Sequence, residues 1–264
     1  MSSLRILLVS TSYPVSKGSV SGIFVKNLVE SLLVFSKITV ITPADCESNV
    51  PSSYRENVVA CKYAPRRYRT LAHSPGGIPA KLRNSRHSVI FVPLLMMSML
   101  LNIIVRVRKH DVIHCNWAVS GALVGLLRRF IKLPIITTLR GEDVKKQPSK
   151  LNNIILGMCL KTSDKIVLVS EEMQQELGLQ YPQYKSKFQT IFNGVDSNFL
   201  KKNVAAVEFY KKKSILRIIT VASLIPRKNI SFILSALALC HRKGLEFEYI
   251  VIGGGEELSK LKKF

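Results

Sequence analysis

The chain has 264 residues, 47% of them hydrophobic, enough for one large domain with its own core and part of another; a disordered chain is excluded. Lys and Arg number 39 against 17 Asp and Glu, a formal net charge of +22, which favours anionic partners: acidic lipid, nucleic acid or phosphorylated substrates. The five cysteines (Cys46, Cys61, Cys115, Cys159, Cys240) are odd in number and form no C-x-x-C, which argues against a disulfide framework or a zinc site and suits a reducing cytoplasm.

The apolar run Ile6–Val9 is too short for the core of a signal peptide, and Leu4–Ser10 predicts a first buried strand. A Ser/Gly/Pro-rich loop follows. Gly22–Phe35 then carries Phe24, Leu28, Leu32 and Phe35 at helical spacing, and Lys37–Thr42 predicts a second strand that ends at Pro43. A basic insert fills 62–88. Residues 89–105 are nearly all apolar and are followed by Arg106, Arg108 and Lys109. A spanning helix takes about 20 apolar residues. This run is shorter and contains Pro93, Ser98 and Asn102, so it predicts a buried or interface-dipping helix with a basic exit.

The alternation then resumes. Strands are expected at Asp111–Cys115, Pro134–Leu139, Asp164–Ser170 and Lys187–Phe192, with helices at 119–131, 150–162 and Glu171–Leu177. Continuous Val/Ile/Leu strands separated by helices imply a parallel sheet covered on both faces. The polar, basic stretch 197–213 reads as a linker. A second unit follows at 214–264: strand Leu216–Ala222, helix 229–242, strand Phe247–Ile252, then Gly253-Gly254-Gly255 and a helix from Glu256. That is one β-α-β unit, fewer residues than a domain of about 100.

In such sheets ligands gather at the carboxyl ends of strands, and helix N-termini present free N–H groups to anions. Gly22, between the first strand and its helix, would let a phosphate approach the backbone, although a flexible surface loop would look the same. His114 ends the strand in DVIHCNW; a satisfied core histidine is the plainer reading. Trp117 follows and could stack on a sugar or cap the core. In TLRGEDV a buried strand runs into Arg140, Gly141, Glu142 and Asp143, facing either a ligand crevice or a solvated turn. Ser170 is placed to cap a helix begun by Glu171 and Glu172. Asn193-Gly194 is a turn signal. Pro226 predicts a helix start, with Arg227 and Lys228 in its first turn; their charge opposes the helix dipole and is better explained by a bound polyanion.

In this order, the segments resemble the retaining glycosyltransferases of family 4. The resemblance runs through DVIHCNW, TLRGEDV, SDKIVLVSEEM, IFNGVD, VASLIPRKN and VIGGGEEL, and covers almost the whole chain. The basic stretch 63–84 is similar to an insert in members that build cell-surface polysaccharides. The resemblance implies an α/β fold of GT-B type: an N-terminal Rossmann-like domain at 1–196 on the acceptor side, and at 214–264 the first β-α-β unit of a second Rossmann-like, nucleotide-sugar-binding domain. It places Gly22, Arg227 and Lys228 on the donor, and Arg140, Asp143 and His114 on the sugar or acceptor side; a catalytic residue is not assigned. Arg140 stands where the family often has His, Asn116 where it often has a second His, and Ser223 where it often has the Arg of an Arg–Lys pair. The family's E-x7-E segment lies beyond Phe264, so the 264-residue chain is expected to lack turnover alone. A nucleotide diphosphate sugar is implied as donor substrate, with no metal or other cofactor. A lipid-linked saccharide is expected as acceptor, and a peripheral position on the inner face of the cell membrane follows from the charge and the 89–105 segment. The alternative is a non-catalytic membrane- or acceptor-binding module. A nucleic-acid partner is not expected, since the charges are dispersed and no recognition fold or aromatic platform is evident.

Overall fold

The computed structural model describes residues 3–16, 19, 21–73, 77–144, 150–195 and 215–263. The expected linker at 197–213 and Gly18 of the first loop lie outside these. The chain divides into two compact units, Met1–Val195 and Asp196–Phe264.

The first unit holds seven parallel strands: β1 (Leu4–Ser10), β2 (Ser36–Pro43), β3 (Asn57–Cys61), β4 (Val112–Asn116), β5 (Ile135–Leu139), β6 (Lys165–Leu168) and β7 (Phe188–Thr190). Their spatial order is β3-β2-β1-β4-β5-β6-β7. β1 lies near the centre: Ile6 pairs with Ile38 on one side and Val112 on the other. Its central residues Ile6–Val9 are all apolar because both faces are covered. Leu7 and Val9 join Ile113, Cys115 and Ile135 under α3 (Phe91–Val107) and α4 (Ala118–Gly125), meeting Leu95, Met99, Ile103, Leu123 and Val124. Ile6 and Leu8 point the opposite way, by the two-residue period of a strand. They pack with Ile38 and Val40 against Val25 and Val29 of α1 (Ile23–Leu32). A third cluster joins α6 (Lys150–Thr162) and α7 (Glu171–Gln180) to β5 and β6 through Leu139, Leu156, Leu160, Ile166, Leu168, Met173 and Leu177. As expected, Ser170 caps α7 and accepts from the Met173 N–H at 3.2 Å.

The amino edge of the sheet is tied by charges. Arg5 donates to Asp111 through its backbone N–H (2.8 Å), Nε (3.1 Å) and Nη2 (2.6 Å), fixing the start of β1 to the start of β4. Asp164 accepts from Arg128 Nη2 and from the Ile135 N–H, both at 2.8 Å. Lys187 Nζ donates to the carbonyls of Leu160, Lys161 and Ser163, three groups that the end of α6 leaves without helical partners.

Four local features differ from the sequence reading. β3 was not anticipated: NVVAC is short, and only Cys61 in it is fully buried. α4 stops at Gly125 rather than 131, and residues 126–130 form turns. The basic insert contains α2 (Gly77–Asn84) between two 3-10 turns, Arg66–Tyr68 and Arg86–Ile90. Pro226–Lys228 is a 3-10 turn and not the start of the following helix, because Asn229 takes the left-handed conformation (φ 47°) and breaks the path; α8 (Ile230–Arg242) begins after it. Four residues at Gly141–Val144 make a single turn, α5.

The second unit pairs β8 (Leu216–Val221) with β9 (Phe247–Ile252) in parallel, Leu216 opposite Phe247 and Val221 opposite Ile252, with α8 as the crossover and a short α9 (Leu258–Leu261). The two strand-end loops interlock: Leu224 N–H donates to the Gly254 carbonyl at 2.9 Å, and Glu257 N–H to the Leu224 carbonyl at 3.0 Å. Gly253 (φ 155°) brings its backbone so near Ala222 that a Cβ would stand 1.8 Å from the Ala222 oxygen.

A buried ionic network anchors the loop after β1. Glu56 accepts from the Tyr13 hydroxyl and from Lys26 Nζ at 3.1 Å; Lys26 also sits 4.0 Å above the Tyr54 ring and pairs with Glu30 at 3.1 Å. Burial works against charge on Glu56, yet the Tyr13 and Lys26 hydrogen bonds hold its carboxyl below the usual range. Removing one member leaves a buried charge without its partner. Lys26→Met is therefore expected to cost about 3–5 kcal/mol of unfolding free energy, and the Lys26→Met/Glu56→Gln double variant less than the sum of the two singles. Urea denaturation checks both; a single-variant loss below about 1 kcal/mol would remove the network from the fold's supports.

Candidate functional site

Because all strands of the first unit run the same way, their carboxyl ends form one edge, where Ser10, Asn116 and Thr138 are neighbours in the register β1–β4–β5. Beside them the chain enters α1 through Gly22. This glycine is left-handed (φ 73°), and a Cβ on it would lie 2.4 Å from the Ser12 carbonyl oxygen, so the sharp turn admits no other residue without displacement. Its carbonyl accepts from the Val25 and Lys26 N–H groups and opens the helix.

Arg140, at the end of β5, is the centre of the edge. It is 7% exposed. Nη1 donates to Asn193 Oδ1 at 2.7 Å and Nη2 to Asn116 Oδ1 at 3.2 Å. The guanidinium lies 4.1 Å from the centroid of the Phe24 ring and 5.9 Å from that of Trp117, and these two rings meet edge to face at 5.8 Å. Burial lowers the Arg140 pKa to about 10, with Asp143 pulling the other way, so the group stays charged at neutral pH.

Trp117 is held at φ 77°, ψ 147°, a backbone region populated almost wholly by glycine. Its N–H donates to the Thr138 carbonyl at 3.0 Å, which locks the two strand ends together. Such strain costs on the order of 1–3 kcal/mol and concentrates at functional sites. Three nitrogen donors here are buried without an acceptor among the described residues: Asn116 Nδ2, Trp117 Nε1 and Arg140 Nε. Ser120 Oγ, one turn further on, is also unpaired. Buried polar groups are rarely left so, and a cluster of such donors on one edge can be met by acceptor oxygens of water or of a ligand.

The other expected site residues fall as follows. Asp143 spends its carboxylate on backbone: Oδ1 accepts from Ala118 N–H at 3.1 Å and Oδ2 from Arg140 N–H at 2.9 Å, so it ties the start of α4 to the end of β5. His114 lies one layer in, its Nε2 2.9 Å from Thr138 Oγ1; burial and then Arg140 lower its pKa to about 4, which keeps the imidazole neutral. In the second unit, Arg227 and Lys228 occupy the turn after β8, at the carboxyl edge of that pair, and are described within that unit alone. Phe24 and Asn193 complete the Arg140 cluster although the sequence marked Phe24 only as an apolar helix position and Asn193 only as a turn. An open groove of about 830 Å3 lies between the β1–α1 loop and the chain before β3, lined in part by Ser16, Ser19, Asn49, Ser52, Ser53 and Tyr54. Among the described residues no group of three or more His, Cys, Asp or Glu is placed to hold a metal ion.

The sequence profile of Glycosyltransferase Family 4 matches residues 37–199, more than half of the chain. The chain belongs to that family. No curated protein matches it in sequence. Among solved structures, HepE of Anabaena, in complex with UDP and glucose, aligns over 98% of this chain and 64% of its own at 12% identity, with a TM-score of 0.64. Sucrose-phosphate synthase of Thermosynechococcus elongatus aligns over 98% and 67% at 16% identity, TM-score 0.68. The lipopolysaccharide outer core galactosyltransferase WaaB, in its apo form, aligns over 98% and 64% at 11% identity, TM-score 0.61. At these identities the likeness is one of fold, and the fold is that of GT-B glycosyltransferases. The chain spans about 64% of the length of the HepE structure it matches.

The neutral His114 gives this family 4 chain a pH signature. Its folded pKa of about 4 lies below the ordinary 6.5. Between those values the unfolded chain binds more protons, so stability falls as pH drops from about 6.5 to about 4 and gains nothing from this residue above about 7. Urea midpoints at about pH 7 and 4.5 are expected to separate less in His114→Gln than in the parent. Equal separation in the two proteins would mean that His114 is not held neutral by the fold.

Proposed function

We propose that this protein is a retaining glycosyltransferase that moves a hexose from a nucleotide diphosphate sugar to a saccharide acceptor carried on a lipid, in the assembly of a cell-surface polysaccharide. The observation that carries this reading is the unpaired donor cluster of Asn116, Trp117 and Arg140 at the carboxyl edge of the sheet. Sugar hydroxyls and phosphate oxygens supply the acceptors that these donors lack, and the Phe24 and Trp117 rings offer apolar faces of the kind that pack against a pyranose. The open groove beside the β1–α1 loop, where Pro14, Ile23 and Val50 alternate with hydroxyls and the Asn49 amide, is the place proposed for the acceptor saccharide. HepE, which shares the fold, is seen with UDP and glucose, and that supports a nucleotide sugar as donor.

In the transfer, the bond from the sugar anomeric carbon to the diphosphate oxygen breaks, a bond to the acceptor hydroxyl oxygen forms, and the departing diphosphate takes the electron pair of the broken bond and the proton that the hydroxyl gives up. The chain's task is then to neutralise that charge and to orient the sugar. Within the second unit, Lys228 and Arg227 are the cations proposed for the diphosphate; within the first, the Gly22 backbone is proposed as a phosphate contact. Arg140 orients the sugar or acceptor, held in place by Asn116 and Asn193. Asp143 acts through Arg140 by fixing its backbone. Neutral His114 supports Thr138 and carries no charge to the site. No cofactor beyond the donor substrate enters this scheme, and the reaction takes place on the cytoplasmic face of the membrane.

The test is sugar transfer by the full-length gene product, with nucleotide sugars as donors and a lipid-linked saccharide extract as acceptor. Arg140→Ala is expected to lower kcat/KM by about 100-fold or more, the usual scale for losing a preorganised charged donor. Lys228→Ala is expected to reduce turnover comparably, with the melting temperature unchanged. Parental turnover in Arg140→Ala would sink the proposed site, and full activity in Lys228→Ala would remove Lys228 from the donor.

A further inference from the structure

The segment His87–Val107 is long and apolar enough to cross a membrane by length and composition, yet its inner side belongs to the fold. Leu95, Met99 and Ile103 of α3 are wholly buried against the sheet. On the opposite side Ile90, Leu94, Met97, Leu101 and Ile104 recur at intervals of three and four residues, and each is at least 49% exposed. A helix apolar all round is one whose outer face meets something other than water.

Three observations say what that is. The polar groups on α3 are satisfied locally: Ser98 Oγ donates to the Lys62 carbonyl at 2.9 Å, Asn102 Nδ2 to the Ser98 carbonyl at 2.8 Å, and Arg106 Nη1 to Asn102 Oδ1 at 2.8 Å. The exposed stripe therefore carries no unmet hydrogen-bonding group, as a hydrocarbon neighbour requires. From Asn57 to His110 the sequence has ten Lys or Arg and no Asp or Glu, which suits an anionic surface and denies a protein partner the acidic counterparts that its own bases would need. Bases also bracket the stripe. Exposed Arg66 and Arg67 stand with Tyr68, which stacks on Phe91 at the start of α3 (ring centroids 5.7 Å apart), and exposed Arg108 and Lys109 follow its end. An aromatic residue among bases is the composition of a membrane interface.

We propose that α3 is a monotopic membrane helix: it lies in the plane of an anionic bilayer, the Ile90–Ile104 stripe at the acyl boundary and the bases of both ends among the headgroups. The helix runs about 25 Å along that plane, by its 17 residues. Insertion adds an apolar contribution that salt does not screen to the electrostatic attraction of the charged surface. This deepens the membrane position proposed above, and it does not depend on sugar transfer.

Flotation of the 264-residue chain with phosphatidylcholine vesicles, with and without phosphatidylglycerol, tests it. Binding is expected to be strongest with the anionic lipid and to persist in part at about 1 M salt, where charge attraction is largely screened. Leu94→Ser/Leu101→Ser is expected to lower partitioning about tenfold or more, from the lost apolar area, with an unchanged circular dichroism spectrum because both side chains face outward. Leu101→Trp is expected to shift its emission to the blue on binding and to be quenched by lipids brominated along the acyl chain, measured against the Trp117 background of the parent. Unaltered partitioning of the double Ser variant would overturn the proposal, as would an unquenched Trp at 101. Resistance to carbonate extraction would overturn it in favour of a spanning helix, and concentration-dependent self-association that buries position 101 without lipid would overturn it in favour of a second copy. Sugar transfer is not read in any arm, so loss of the glycosyltransferase reading and loss of this one are separate results.

Discussion

A parallel sheet cannot be joined by tight hairpins. Each strand of the first unit must be followed by a return path over a face of the sheet, and every such path leaves from the same edge. The register between β1 and β4, strands more than a hundred residues apart in the chain, is set at the centre of this arrangement by their backbone ladder and shared apolar core, and the exposed Arg5–Asp111 pair closes its amino edge. With that register and the one between β4 and β5, Ser10, Asn116 and Thr138 fall side by side, and the residues just after them share one small volume. The Arg140 cluster follows from this constraint. So does the strain at Trp117, which turns the chain from β4 into α4 within a single residue.

The buried polar network under the first loop serves the same edge from below. Tyr13, Lys26 and Glu56 come from the β1–α1 loop, from α1 and from the approach to β3, and their mutual hydrogen bonds hold the Gly22 turn in position. Two kinds of interaction thus divide the work: area burial forms the layers, and a few paired charges place the loops on them.

Much of the layer structure was legible in the sequence. Ile6–Val9, Ile38–Ile41 and Ile135–Leu139 are runs of aliphatic residues and threonine without a charge, and a doubly covered strand leaves that trace. β3 was not legible, since three of its five residues are only partly buried and the run lacks contrast. Arg140 and His114 could be nominated because charged or polar groups ended apolar strands. Their partners could not: Asn193 reaches Arg140 across 53 residues, and Phe24 carries only the mark of an amphipathic helix. Asp143 sits at a strand end where a ligand-facing carboxylate could sit, and its two oxygens also accept from backbone N–H groups whose locations depend on the tertiary fold. The left-handed Asn229 likewise separates Arg227 and Lys228 from the helix that local pattern attached them to.

The long separation between β1 and β4 also governs the order of events during synthesis. β1 is made first, but its second neighbour leaves the ribosome only about a hundred residues later, which at 5–20 residues per second is on the order of 5–20 s. α3 lies within that interval, immediately before β4. Towards the end of that wait the long apolar helix α3 is in the nascent chain before Ile113, Cys115 and Ile135, which share the core cluster of Leu95, Met99 and Ile103, have been made. Non-local pairing of this kind is slow and exposed to aggregation. The segment's ten bases and absent acids then act on the nascent chain before they act on the finished one, by keeping neighbouring copies apart through like charge.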